Sequence, residues 1–261
     1  MPRYALLLEY DGAGFVGWQR QNNGLSIQQI LEEAAARLAN GAPVAATAAG
    51  RTDAGVHAEG QVVLLQLPRD IPGLTLREAL NFHMLPHAVV VLRAVPAPDG
   101  WNARFSAISR AYRYRILNRR PRPALLAGRV WHVKPPLDVA RMREAARYLL
   151  GRHDFTSFRA ASCQAKSPVR TLDVLEVTRT GEMIDVRTEA RSFLHHQVRN
   201  MVGTLKLVGE GKWPPIRVAE ALAACDRRAA GPTAPPDGLC LLRVVYDQDV
   251  FQDAAGKNVL F

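Results

Sequence analysis

Cysteine is scarce in this chain of 261 residues: there are three, Cys163, Cys225 and Cys240, far apart and odd in number. That count and spacing exclude a disulfide framework and a cysteine-built metal site. A reducing cytoplasm is the simplest setting. Apolar runs of 18 or more residues are missing, which excludes a membrane-spanning helix. Met1-Pro2-Arg3-Tyr4 leads at once into a strand-like run, without the charged, apolar and small-residue order of a signal peptide. Lysine is rare as well, 5 against 29 arginines. Acidic side chains are missing altogether from two windows. The first lies between Asp99 and Asp138 and holds Arg104, Arg110, Arg113, Arg115, Arg119, Arg120, Arg122, Arg129 and Lys134. The second runs from Phe155 to Leu172 and holds Arg159, Lys166 and Arg170. With a net charge of +10, such one-sign blocks point to a polyanion partner, and nucleic acid fits better than a solvated basic face.

Recognisable cofactor and metal sites are missing too. Gly12-Ala13-Gly14-Phe15-Val16-Gly17 matches the dinucleotide pattern G-x-G-x-x-G and follows a strand, but no helix opens within it. The next acidic residues, Glu32 and Glu33, fall inside a helix rather than at a strand end. His83 and His87 have metal-like spacing, yet Pro86 interrupts the helix that spacing needs. His195 and His196 are adjacent and point in different directions on a helix. No Ser-His-Asp order or P-loop is legible. The expected cofactor and metal complement is none.

What is present is an alternation of strand and helix signals. Tyr4–Tyr10 reads as a buried strand. Ser26-Ile27-Gln28-Gln29 reads as a capping box opening a helix to about Ala39, which Asn40-Gly41 stops. Further helices are expected over Leu76–Phe82, Asp138–Leu150, Phe193–Val208 and Ile216–Cys225. In the helix Asp138–Leu150, Val139, Met142, Ala146, Leu149 and Leu150 face inward. Strands are expected at Val89–Val95, Tyr112–Asn118 and Leu239–Tyr246, and a hairpin joins Leu172–Val177 to Met183–Thr188 across Thr180-Gly181. The mixed order with few βαβ units predicts an α+β fold with largely antiparallel sheets. Pro96-Ala97-Pro98-Asp99-Gly100 is a plausible boundary, dividing residues 1–100 from residues 101–261.

The richest stretch is Gly50-Arg51-Thr52-Asp53-Ala54-Gly55-Val56-His57, between two apolar segments. Asp53 lies two residues from a guanidinium, which favours its ionised form and suits a nucleophile or base. An Asx-type turn, with Asp53 bonding only local backbone, explains the same spacing. On the strand Tyr112–Asn118, Tyr112, Tyr114 and Ile116 share one face and Arg113 and Arg115 the other. Arg199 falls beside the apolar stripe Leu194, Val198, Met201, Val202, Leu205, where a guanidinium needs a carboxylate or phosphate.

Gly50–His57 resembles the signature of the tRNA pseudouridine synthase A family. Six further blocks agree in the family's order: Glu9–Gly12 with Gly17–Gln21, Asn102–Ala107, Arg110–Tyr114, Asp154–Ala160, Val198–Gly203 and Gly238–Leu241. The resemblance covers residues 4 to 246. It implies two similar α/β subdomains with an active-site cleft between them, usually in a homodimer. It also implies a tRNA partner, bound at the anticodon stem-loop, and isomerisation of uridine to pseudouridine at positions 38–40. Asp53 is then the nucleophile, Arg51 fills the space of a flipped base or holds its phosphate, and Arg199 pairs with Asp53. Tyr112 stacks on the uracil, since aromatic faces accept extruded bases, and Leu239 joins it in substrate binding. Arg104, Phe105, Arg110, Arg159, Cys163, Gln164 and Lys166 are the expected tRNA contacts. The chain departs from the family pattern at Gln197, where an apolar residue is usual, and at Trp101-Asn102, where Phe-His is frequent. A non-catalytic basic RNA-binding protein is the alternative. A zinc deaminase would need His/Cys ligands that the sequence lacks.

Overall fold

The apolar run behind Arg3 becomes the first strand of a computed structural model that describes residues 1–252. Its elements begin with β1 (Arg3–Tyr10), α1 (Ile27–Leu38), β2 (Ala46–Ala48), β3 (His57–Gln66), α2 (Gly73–Met84) and β4 (Val89–Pro96). There follow β5 (Ala107–Asn118), β6 (Trp131–Val133), α3 (Val139–Arg147), β7 (Gly151–Asp154), β8 (Val169–Thr180) and β9 (Met183–Ala190). Last come α4 (Gln197–Gly209), α5 (Ile216–Ala223) and β10 (Leu239–Tyr246). The architecture is α+β, and its strand pairs are mostly antiparallel, as the order of sequence signals implied.

The described chain forms two compact units, residues 1–109 with 241–252, and Arg110–Cys240. The Pro96–Gly100 stretch lies inside the first unit, and the closing strand returns to it. In the first unit the strand order is β4-β1-β3-β10, with β2 also on β3. β1 pairs antiparallel with both neighbours, placing Leu6 opposite Val63 on one side and Ala94 on the other. Helices α1 and α2 pack on each other, and α2 also packs on β4. Ser26 caps α1 as its spacing predicts, its hydroxyl accepting the Gln29 N–H at 3.2 Å. Gln29 turns its own amide to Glu33, so only half of the capping box forms. A separate apolar cluster gathers Ala5, Val62, Trp101, Ala103, Ala107, Tyr246 and Phe251, tying β10 to the segment before β5.

In the second unit the order is β5-β9-β8-β7, with β6 parallel to β5. The hairpin turns at Gly181-Glu182, with Thr180 opposite Met183. Asp138 caps α3, its carboxylate accepting the Arg141 N–H at 3.1 Å. Helix α3 stops at Arg147, not Leu150. Leu149 is buried, while Leu150 is exposed, so its expected inward position is corrected. Helix α4 also starts late. His196 adopts the left-handed conformation (φ 62°), which no helix continues through, so the helix opens at Gln197 and not at Phe193. His195 and His196 therefore precede the helix, and their rings lie together at 4.1 Å between centroids.

Candidate active site

Asp53 sits half-buried on the turn between β2 and β3, with Arg51 exposed beside it. Backbone bonds fasten this turn to the segment after β1. The Trp18 N–H donates to the Thr52 carbonyl at 3.0 Å, and the Gly55 N–H to the Phe15 carbonyl at 3.3 Å. The Val56 N–H closes the turn on the Asp53 carbonyl at 3.1 Å. Two glycines permit that closeness. A Cβ on Gly12 would lie 2.1 Å from the Val56 carbonyl oxygen, and one on Gly17 would lie 2.7 Å from the Thr52 carbonyl oxygen. The glycines that imitate a dinucleotide loop in sequence thus form the floor under the Asp53 turn. Behind it, His57 Nδ1 lies 3.1 Å from the Gly12 N–H and 3.0 Å from an Asp11 carboxylate oxygen. A neutral ring accepts from Gly12; a protonated one pairs with Asp11.

Elsewhere in the first unit, Asn102 shapes the loop carrying Arg104 and Phe105. Its Oδ1 accepts both their N–H groups, at 2.9 and 3.1 Å. Phe105 stands 74% exposed, with the Arg104 guanidinium 5.5 Å from its ring centroid. An exposed aromatic beside a cation suits stacking on a base.

In the second unit, Tyr112 lies on β5 with its ring edge-on to Phe193 at 5.3 Å. Tyr114, two residues on, is fully buried, and its hydroxyl donates to the Pro235 carbonyl at 2.7 Å. Burial pushes its hydroxyl pKa up; the nearby Arg199 charge pulls it down and Asp237 pushes it up again. Arg199, half-buried on α4, donates from Nε to the Ala234 carbonyl at 2.8 Å, and the Ala234 N–H returns a bond to the Arg199 carbonyl at 3.1 Å. The 234–238 segment therefore holds both Tyr114 and the shaft of Arg199. Leu239 is buried at the start of β10.

The expected tRNA contacts of this unit differ in exposure. Lys166 and Gln164 are exposed, and Arg159 and Cys163 are half-buried. The Ala160 N–H donates to the His195 carbonyl at 2.9 Å, and the Cys163 N–H to the Ala160 carbonyl at 3.0 Å, which seats this segment beside the histidine pair. Arg110 departs from its expected place in an open groove. It is only 7% exposed, and its Nη1 donates to the Arg191 carbonyl at 2.5 Å, so it braces the frame.

A family model described as tRNA pseudouridine synthase matches residues 7–106 and again residues 145–247. The chain belongs to the tRNA pseudouridine synthase family. It is 68% identical over 252 residues to tRNA pseudouridine synthase A of Acidiphilium cryptum, covering 96% of this chain and 99% of that one. It is 61% identical over 246 residues to the protein of that name from Paramagnetospirillum magneticum, covering 94% and 96%. With the Gluconobacter oxydans protein of that name it shares 56% over 253 residues, covering 96% and 92%.

Both departures from the synthase family pattern have local roles. Gln197 is buried, and its Oε1 accepts the Leu194 N–H at 2.8 Å, closing the turn into α4. Trp101 packs on Tyr246 at 5.2 Å between ring centroids, and its carbonyl accepts from Arg3. The Asp154–Ala160 block, one of those that carry the resemblance, is largely an anchor in this synthase family member. Phe155 and Phe158 are fully buried, the Ser157 hydroxyl accepts the Asp226 N–H at 2.9 Å, and the Phe158 carbonyl accepts from Asn200 at 2.8 Å. Sequence reasoning overlooked Tyr10, Thr52 and Gln61 around the Asp53 turn. The Gly12 and Gly17 pattern, read as close backbone approach rather than as a nucleotide motif, could have pointed there.

Proposed function

We propose that this protein isomerises uridine to pseudouridine in tRNA, at positions 38–40 of the anticodon stem-loop, with Asp53 as the nucleophile. The observation that carries this reading is the likeness, over nearly the full length of both chains, to proteins named tRNA pseudouridine synthase A. The reaction breaks the C1′–N1 bond, turns the uracil and joins C5 to C1′. C5 loses its proton to solvent and N1 gains one, so nothing else enters or leaves. A carboxylate close to the sugar or base starts it, and Asp53 on its fastened turn has the chemistry. Arg51, exposed beside it, is suited to the space or phosphate of a flipped nucleotide. Tyr112 supplies an aromatic face, Leu239 an apolar wall, and Arg199 a guanidinium whose Nε is already anchored.

Stem phosphates would meet Arg104, Arg159 and Lys166, with Phe105, Cys163 and Gln164 alongside. The proposal includes a homodimer, which the family resemblance supports, and a cytoplasmic setting, which the few, odd-numbered cysteines support. No helix among the described residues is long and apolar enough to cross a membrane. Incubation with tRNA carrying tritium at uridine C5 tests the reading, with pseudouridine mapped afterwards. Release of tritium, with product at positions 38–40, is expected. A binding module would release none.

A further inference from the structure

Three buried polar side chains lie on or against the Asp53 turn. Gln61, Tyr10 and Thr52 are 0%, 4% and 6% exposed. Gln61 comes from β3, and its Nε2 donates to the Gly50 carbonyl at 2.8 Å and to the Tyr10 hydroxyl at 3.3 Å. Its Oε1 accepts the Val62 N–H at 3.2 Å, which fixes which way the amide faces. Tyr10, from β1, accepts from Gln61, and its hydroxyl lies 2.9 Å from Thr52 Oγ1, where either hydroxyl can donate. The hydrogen bonds run in a chain from Gln61 through Tyr10 to Thr52. It grips the turn on both sides of Arg51: Gly50 by its carbonyl, Thr52 by its side chain. Thr52 is held a second time through its carbonyl by Trp18, and Asp53 follows it directly.

We infer that Tyr10, Thr52 and Gln61 are positioning residues for Asp53, a hydrogen-bonded clamp that sets where the carboxylate stands relative to the bound uridine. The inference rests on the reading of Asp53 as nucleophile. A Phe, Val and Leu in these places would fill the same space without buried polar groups. Such groups are costly unless every one is satisfied, and a fully satisfied network enforces one geometry. That geometry matters because a misplacement of about 1 Å lowers a rate by roughly 100-fold. The three side chains are buried away from solvent, so their loss should slow the chemical step and leave tRNA affinity nearly unchanged.

Tyr10→Phe tests this most cleanly, because it keeps the ring that packs on Trp18 at 6.3 Å and removes only the hydroxyl. Single-turnover rates of tRNA isomerisation, tRNA Kd and melting temperature are measured for wild type, Tyr10→Phe, Thr52→Val, Thr52→Ser and Asp53→Asn. Tyr10→Phe and Thr52→Val should each slow turnover about 10- to 100-fold, with Kd within about two-fold of wild type. Thr52→Ser restores the hydroxyl and should recover most of the rate, which a packing role would not give. Should Tyr10→Phe fail to fold, the Thr52→Val and Thr52→Ser pair decides by itself. Wild-type turnover in both Tyr10→Phe and Thr52→Val, with Asp53→Asn inactive, overturns the clamp and leaves the nucleophile standing. An active Asp53→Asn overturns the nucleophile, and the clamp with it.

Discussion

At Gly17 the backbone runs at a φ of +103°, and a Cβ there would stand 2.7 Å from the Thr52 carbonyl oxygen and 3.0 Å from the Ala54 nitrogen. Gly14 has a similar φ of +83° but nothing within 4 Å of a Cβ. The two positions separate backbone strain from displacement of the Asp53 turn. Gly14→Ala should cost about 1–2 kcal/mol of stability and leave turnover near wild type. Gly17→Ala should slow turnover at least about ten-fold, because the turn must move to admit the methyl. Melting curves and single-turnover rates for both check this, and equal rate losses would mean that the close approach is immaterial. Asp53 itself was legible from its local motif, because the residues that make it conspicuous are its neighbours. Tyr10 and Gln61 were not, since their bonds join residues 42 and 51 positions apart, and no local pattern carries such a pairing.

Helix α4 shows at the scale of an element what periodicity reveals and what it hides. Its apolar stripe, with Val198, Met201, Val202 and Leu205 buried, is a sequence signal. Its start is not: the left-handed His196 and the Gln197–Leu194 bond set the boundary, and both depend on side chains rather than on period. Leu150 misled for a related reason, because the helical stripe was extended past the end of α3. At the far end of α4, Glu210 takes Lys206 Nζ at 2.6 Å and Lys212 Nζ at 3.0 Å. Burial raises the Glu210 carboxyl, but the two ammonium groups outweigh it and hold the pKa below the ordinary carboxylate value. A carboxyl depressed on folding stabilises above its unfolded pKa, and that contribution is lost as pH falls through the folded value. Glu210→Gln should therefore lower the urea midpoint at pH 7, and wild type and variant should converge in acid. A difference that stays constant from pH 7 to pH 3 would contradict the pairing.

Across the whole molecule the charge of +10 and the acid-free windows point to phosphate, and the family supplies tRNA as its source. Charge windows do not reveal which arginines are open: Arg110 lies in one yet turns inward, and only a folded strand shows it. Lys166 is exposed, so Lys166→Gln should lower the slope of log K against log [salt] by about one unit. Tyr112→Ala removes an aromatic face and no charge, so turnover should fall with the slope unchanged. Affinity titrations at several salt concentrations measure both, and a slope change in Tyr112→Ala alone would reverse the assignment. The central claim, uridine isomerisation started by Asp53, is tested most directly by single-turnover release of tritium from uridine C5 of tRNA, wild type beside Asp53→Asn. Wild type should release tritium, while the variant binds tRNA within a few-fold and releases essentially none. No release by wild type, or release by Asp53→Asn above about one per cent of the wild-type rate, would contradict it.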